Sequence, residues 1–251
     1  VLRGVVKKHS DFVAYPIVMD VKKTKPVLDK DGKPETGKTE TVFEEETLNS
    51  MKAIWAKDKS DVSEEEYNEF YSHISHDWNP PLARLHLKLE GKTEYSALLY
   101  IPSKAPFHFF SPERKHGIQL YSRRVFIMDN CTDLMPMYLG FVKGVVDAPD
   151  LNLNVSREIL QQNTLVKNIR KNLVKRLLDL FAGMEKEKYE KFYSEFGSML
   201  KGGISTDFEN REKIASLLRY KTTKSDGKWV SLHEYVERMK PGQDAIYYMT
   251  G

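Results

Sequence analysis

Asp147-Ala148-Pro149-Asp150-Leu151-Asn152-Leu153-Asn154-Val155-Ser156-Arg157-Glu158-Ile159-Leu160-Gln161-Gln162 divides the sequence into a part that reads as strands and a part that reads as helices. Ala148-Pro149-Asp150 ends whatever precedes it, because proline lacks an N–H and turns its neighbour away from helical backbone. Asn154 and Ser156 are good N-cap residues. An apolar repeat at helical spacing then runs through Ile159, Leu160, Val166, Ile169, Leu173, Leu177 and Phe181. Arg157 stands in or just before the first turn, where a cation opposes the positive end of the helix dipole. A residue placed against its local preference is a candidate for function, although an ordinary solvated arginine is the plainer reading.

Working back from this stretch, residues 141–146 read as a strand in which Gly144 marks a bulge or a close approach. Residues 130–139 read as a short helix that Pro136 complicates, and 118–129 as one strand. Leu85, Leu87 and Leu89 alternate with polar residues as in a half-buried strand, and residues 95–101 return beside it as a hairpin partner. Ser63-Glu64-Glu65-Glu66 is a capping box, opening a helix with Tyr67, Phe70, Tyr71 and Ile74 on one face. Residues 22–41 read as an exposed hairpin extension with turns at Asp31-Gly32 and Thr36-Gly37, between strands at 12–21 and 41–47.

Working forward, a second helix carries Tyr189, Phe192, Phe196, Met199 and Leu200, and Lys201-Gly202-Gly203 stops it. A third helix is expected over 208–220, a turn at Asp226-Gly227, a second capping box at Ser231-Leu232-His233-Glu234, and a strand after Pro241-Gly242. The expected class is mixed α/β, in three parts: 1–157, 158–200 and 201–251.

The 39 basic and 36 acidic residues leave a net charge of +3, which demands neither nucleic acid nor an anionic membrane. A single cysteine, Cys131, cannot form an internal disulfide and suits a reducing compartment such as the cytoplasm. No apolar run has membrane-spanning length. The opening at Val1 and the unfinished apolar run at the other end read as cuts from a longer protein.

No complete active site stands out. His73-x-x-His76 lacks the i, i+4 spacing and further ligands of a zinc helix, so capping or solvation is the better account. Cys131 has no histidine near it in sequence and reads as a small buried hydrophobe. Neither a phosphate-cradling glycine loop nor a dinucleotide fingerprint is present. Lys167, Arg170, Lys171, Lys175 and Arg176 make one helix strongly basic, either as a solvated face or as a contact for phosphates or an acidic partner. Aromatic residues do not interleave with these cations as base-stacking platforms would. Trp55 and the Phe107, Phe109, Phe110 group lie in expected loops, as core anchors or as contact surface for another protein.

Several blocks taken together resemble the middle segment of Hsp90 chaperones, most closely the bacterial branch. They are Lys7-Lys8-His9-Ser10-Asp11-Phe12, Glu65-Glu66-Tyr67-Asn68-Glu69-Phe70-Tyr71, Ala97-Leu98-Leu99-Tyr100-Ile101-Pro102, Arg123-Arg124-Val125-Phe126-Ile127-Met128-Asp129, Asn154-Val155-Ser156-Arg157-Glu158-Ile159-Leu160-Gln161 and Ile246-Tyr247-Tyr248-Met249-Thr250. The resemblance spans essentially the whole chain in order. It implies a large α-β-α sandwich, a set of linking helices and a smaller α-β-α unit truncated at its C-terminal end. It implies that ATP and Mg2+ are bound mainly by an N-terminal ATPase domain outside this chain, and that a C-terminal domain, also outside it, makes the dimer. By motif, Arg157 is the arginine that reaches the ATP γ-phosphate, Gln161 its supporting glutamine, and Asn154 a member of the same loop. Leu151, Leu153 and Phe126 become candidates for docking the N-terminal domain, and Trp55 and Phe107 for contact with client proteins. No metal, membrane or nucleic acid is expected on this segment, and alone it is expected not to hydrolyse ATP. The sequence departs from the family at Asn152, where proline is usual, which leaves the free loop less restricted.

Overall fold

The computed structural model describes residues 1–28, 34–91, 93–105, 118–151 and 163–249, with backbone alone at 27–28 and 34–38. Its centre is a five-stranded mixed sheet in the order β3-β4-β7-β5-β6. The strands are β3 (Ala83–Leu89), β4 (Tyr95–Ile101), β5 (Ile118–Ser122), β6 (Val125–Cys131) and β7 (Lys143–Asp147). Every pairing is antiparallel except β5 with β7. β1 (Val18–Leu28) and β2 (Pro34–Thr47) form a separate antiparallel hairpin, the extension that the polar sequence suggested.

Helices cover both faces of the central sheet, giving the mixed α/β sandwich expected from the sequence. On one face lie α3 (Thr164–Ala182) and α4 (Lys186–Lys201). Their buried sides meet Ala97, Leu99 and Ile101 of β4 in a core that continues to Ile214 and Leu217. Phe141 and Phe196 stack with centroids 4.4 Å apart, as do Phe181 and Phe192 at 4.5 Å. On the other face lies α2 (Glu64–Ser75), whose Tyr67, Phe70 and Tyr71 pack with Phe12, Trp55, Leu98, Tyr100 and Tyr121. Ser63 and Glu66 complete the expected capping box at the start of α2.

Gly144 is a close approach: its φ is 145°, and a Cβ there would lie 2.2 Å from the Leu98 carbonyl oxygen. The turn at Asp226-Gly227 and the capping box at Ser231 also form as expected, with φ of 48° and 75° in the turn.

Several expectations are corrected. The first strand begins at Val18, not residue 12, and a helix, α1 (Leu2–His9), opens the chain. The buried Asn49 amide donates to the carbonyls of Val13 and Tyr15 at 3.1 and 2.9 Å, and Asp11 accepts from the Ser50 N–H at 2.9 Å. Those bonds give residues 11–17 partners other than a strand. Thr36-Gly37 lies within β2 rather than in a turn. Residues 118–129 are two strands, broken by Arg123-Arg124. The short helix around Pro136 is a pair of 3-10 turns, Thr132–Leu134 and Met137–Leu139. Beyond α4, the short α5 (Gly203–Thr206), α6 (Arg211–Leu217) and α7 (Leu232–Glu237) follow. α6 is shorter than the helix expected over 208–220, because Tyr220 leaves it to exchange both backbone hydrogen bonds with Val230. No strand forms among the described residues after Gly242, and Tyr247, Tyr248 and Met249 stand exposed.

Candidate functional site

The described part of the candidate site is the place where β7 leaves the sheet. Asp147, its last residue, is buried in the aromatic face. Its Oδ2 accepts from the Trp55 indole Nε1–H at 3.0 Å and from the Arg124 backbone N–H at 3.0 Å. Burial pushes the Asp147 carboxyl above its ordinary pKa, against the opposing effect of Trp55 and the Arg123 and Arg124 N–H groups. Its Oδ1 has no hydrogen-bond partner among the described residues.

Trp55 is held from its other side as well. Its carbonyl can only accept, so the 3.1 Å contact with His86 makes Nε2–H the donor. His86 Nδ1 lies 2.7 Å from the Tyr67 hydroxyl, from which it accepts when the ring is neutral. Burial holds the His86 pKa below its ordinary value, which agrees with that state. A buried line of hydrogen bonds thus runs from α2 through β3 and Trp55 to the end of β7.

Beyond Asp147 the chain stays bonded to the sheet. The Ala148 N–H donates to the Tyr121 carbonyl at 3.0 Å, Arg123 Nε–H to Pro149 at 3.3 Å, and Ser122 Oγ–H to Leu151 at 2.7 Å. A surface cavity of about 350 Å³ borders this join, with Tyr15, Lys88, Glu94, Arg123, Arg124 and Asp147 in its wall.

Asn152, Leu153, Asn154, Arg157, Gln161 and Phe107 lie outside the described residues. Of the others, Trp55 is corrected: at 0% exposure it is a core anchor with no surface to offer a client. Leu151 is also buried, in the apolar core under α3 and α4, so its side chain presents no docking face. Phe126 is half-buried, edge-on to Tyr121 at 5.6 Å and to His9 at 5.7 Å. The exposed tryptophan is Trp78, at 87%, just after the left-handed C-cap residue His76. Sequence reading passed over it, and the signal available was its place in Asp77-Trp78-Asn79-Pro80, polar and turn-forming on every side.

The five cations of α3 are all exposed, Lys171 pairing with Glu209, while Val166, Ile169, Leu173 and Leu177 face the core. The described helix begins at Thr164, with Asn163 accepting from the Leu165 N–H at 2.8 Å. Cys131 is buried. Among the described residues no helix is long and apolar enough to cross a membrane.

Residues 27–251 match the family model described as Hsp90 protein. The chain is 54% identical to the chaperone protein HtpG of Nocardia farcinica and 53% identical to that of Geobacter sulfurreducens, over its whole length in both cases. It is 49% identical to the HtpG of Mycobacterium leprae, again over its whole length. It spans 38%, 39% and 38% of those relatives respectively.

Proposed function

This chain belongs to the Hsp90 family of chaperones, and on that premise we propose that it is the middle segment of an ATP-dependent chaperone whose Arg157 completes the hydrolytic site. In this reading residues 1–157 form the sandwich that ends in the catalytic loop, 158–200 the linking helices and 201–251 part of a smaller unit. The nucleotide pocket, the Mg2+ site and the dimer contact belong to the longer protein, and the compartment is the cytoplasm.

Its chemistry follows from the residue types. Hydrolysis of ATP spreads negative charge over the γ-phosphoryl oxygens. A planar guanidinium offers two aligned N–H donors to such oxygens. Gln161, four residues on, would share a helix face with Arg157 and could donate to the same group. An arginine brought in from another domain can be worth up to roughly 10³–10⁵ in rate in phosphoryl-transfer enzymes. Carrying it on a separate segment makes hydrolysis conditional on docking, which is a conformational gate. Client proteins would meet exposed apolar surface, for which the chain offers Trp78 rather than Trp55.

The observation that carries this reading is the family match over residues 27–251, within which Asn154, Arg157 and Gln161 stand in the motif that the resemblance assigns to the γ-phosphate. The test is Arg157→Ala in the full-length chaperone. Its kcat for ATP hydrolysis should fall by about 10²-fold or more while nucleotide affinity holds. Unimpaired hydrolysis would sink the assignment and leave a binding module without catalytic duty.

A further inference from the structure

The β5–β6 turn is built from the wrong residues for a hairpin. Arg123 and Arg124 take φ of 51° and 66°, a pair of left-handed positions that two-residue hairpin turns ordinarily fill with asparagine or glycine. Each such position is strained for a long side chain and persists only where the surroundings over-determine it. Here the surroundings are the stem that follows β7. Arg124 N–H reaches Asp147, Arg123 Nε–H reaches Pro149, Ser122 Oγ–H reaches Leu151, and Tyr121 accepts from Ala148. An Asn-Gly turn would close the same hairpin without strain but would lose the side chain that spans to Pro149.

We propose that Ser122, Arg123 and Asp147, with Trp55 behind Asp147, are positioning residues for ATP hydrolysis that clamp residues 148–151 to the sheet. The proposal rests on the reading of Arg157 as the γ-phosphate arginine. The clamp gives the chain a rigid base from which it continues into 152–162. Catalytic groups carried on rigid elements hold their geometry better than groups on free loops. A displacement of about 1 Å can cost up to about 10²-fold in rate. The buried bond from Trp55 fixes the carboxylate that holds Arg124, so the clamp is braced from the core rather than from solvent.

The test measures ATP hydrolysis against ATP concentration in the full-length chaperone. Arg123→Gly relieves the left-handed strain, so the fold is not put at risk, but removes the bond to Pro149. Ser122→Ala removes the bond to Leu151. Each is expected to lower kcat about threefold to tenfold with KM unchanged. Asp147→Ala should do the same, and Asp147→Asn, which keeps an acceptor oxygen, should recover most of the loss. In an Arg157→Ala background the same substitutions should add nothing, because what they position is gone. A kcat unchanged in both Arg123→Gly and Ser122→Ala, with Arg157→Ala strongly impaired, overturns the clamp alone. So do losses that multiply undiminished in the Arg157→Ala background, since a merely structural defect behaves that way. Wild-type hydrolysis in Arg157→Ala would instead remove the parent reading, and the clamp with it.

Discussion

The two faces of the central sheet are held in different ways. Against α3 and α4 the contacts are aliphatic and phenyl, with stacked rings around Phe141. Its named tyrosine bonds, Tyr138 to Asp207 and Tyr189 to the Leu217 carbonyl, reach outward to α5, α6 and their connections. Against α2 the aromatic cluster is threaded by the line Tyr67, His86, Trp55, Asp147. Apolar burial is non-directional and scales with area, so the first face tolerates rearrangement that keeps volume. Hydrogen bonds inside a low-dielectric core fix atoms as well as area. Both faces meet the stem at 148–151: Ala148 and Leu151 pack into the apolar core, while Asp147 and the β5–β6 turn tie the stem's backbone to the directional face.

Substitution separates the two faces. Trp55→Ala deletes a fully buried ring, at about 3–5 kcal/mol, and leaves the buried Asp147 without its indole donor, at about 1–3 kcal/mol more. Leu177→Ala on the other face costs about 2–5 kcal/mol by cavity alone. Equilibrium denaturation of the two variants checks the order, and a Leu177→Ala loss exceeding that of Trp55→Ala would reverse the distinction.

Protonation of His86 gives a smaller effect on the directional face. Burial lowers the His86 pKa in the fold below the value near 6.5 at which the unfolded chain binds a proton. Between the folded and unfolded values the unfolded state holds more protons, so stability rises with pH there. The contribution of His86 is therefore present above about pH 6.5 and is lost as pH falls toward the folded pKa, at up to about 1.4 kcal/mol per pH unit. His86→Gln should flatten that part of the stability profile, and an unchanged profile would show that this titration contributes nothing.

What could be read from the sequence follows the same division. The face under α3 and α4 was visible because helical periodicity reports apolar area, and Leu173, Leu177, Phe192 and Phe196 all fall where the repeat puts them. The capping boxes at Ser63 and Ser231 were visible because two residue types at fixed spacing carry their own mechanism. The directional face was not. Trp55 and Trp78 both sit in stretches without helical or strand periodicity, and the exposures, 0% and 87%, are set by tertiary partners. The turn at Arg123-Arg124 hid for a related reason: it lacks the glycine or asparagine that announces a hairpin, and its conformation is imposed by Asp147, more than twenty residues later. In β3 the alternation of leucines was correct, but His86 between them is the residue buried most deeply. Arg157 was singled out by its conflict with the helix dipole, and the family resemblance turned that conflict into a role.

Residues 148–151 pack into the apolar core through Ala148 and Leu151 and hydrogen-bond to the β5–β6 turn, and the hydrogen bonds, more than the packing, are expected to govern their backbone. Amide hydrogen exchange in the full-length chaperone, comparing wild type, Trp55→Phe and Leu177→Ala, tests it most directly. Trp55→Phe keeps a ring and removes the bond to Asp147, so the Ala148 and Leu151 amides should exchange faster through local opening. Leu177→Ala should leave those two amides at the wild-type rate under conditions where the protein stays folded. Equal acceleration in both variants, or faster exchange only in Leu177→Ala, would contradict the claim.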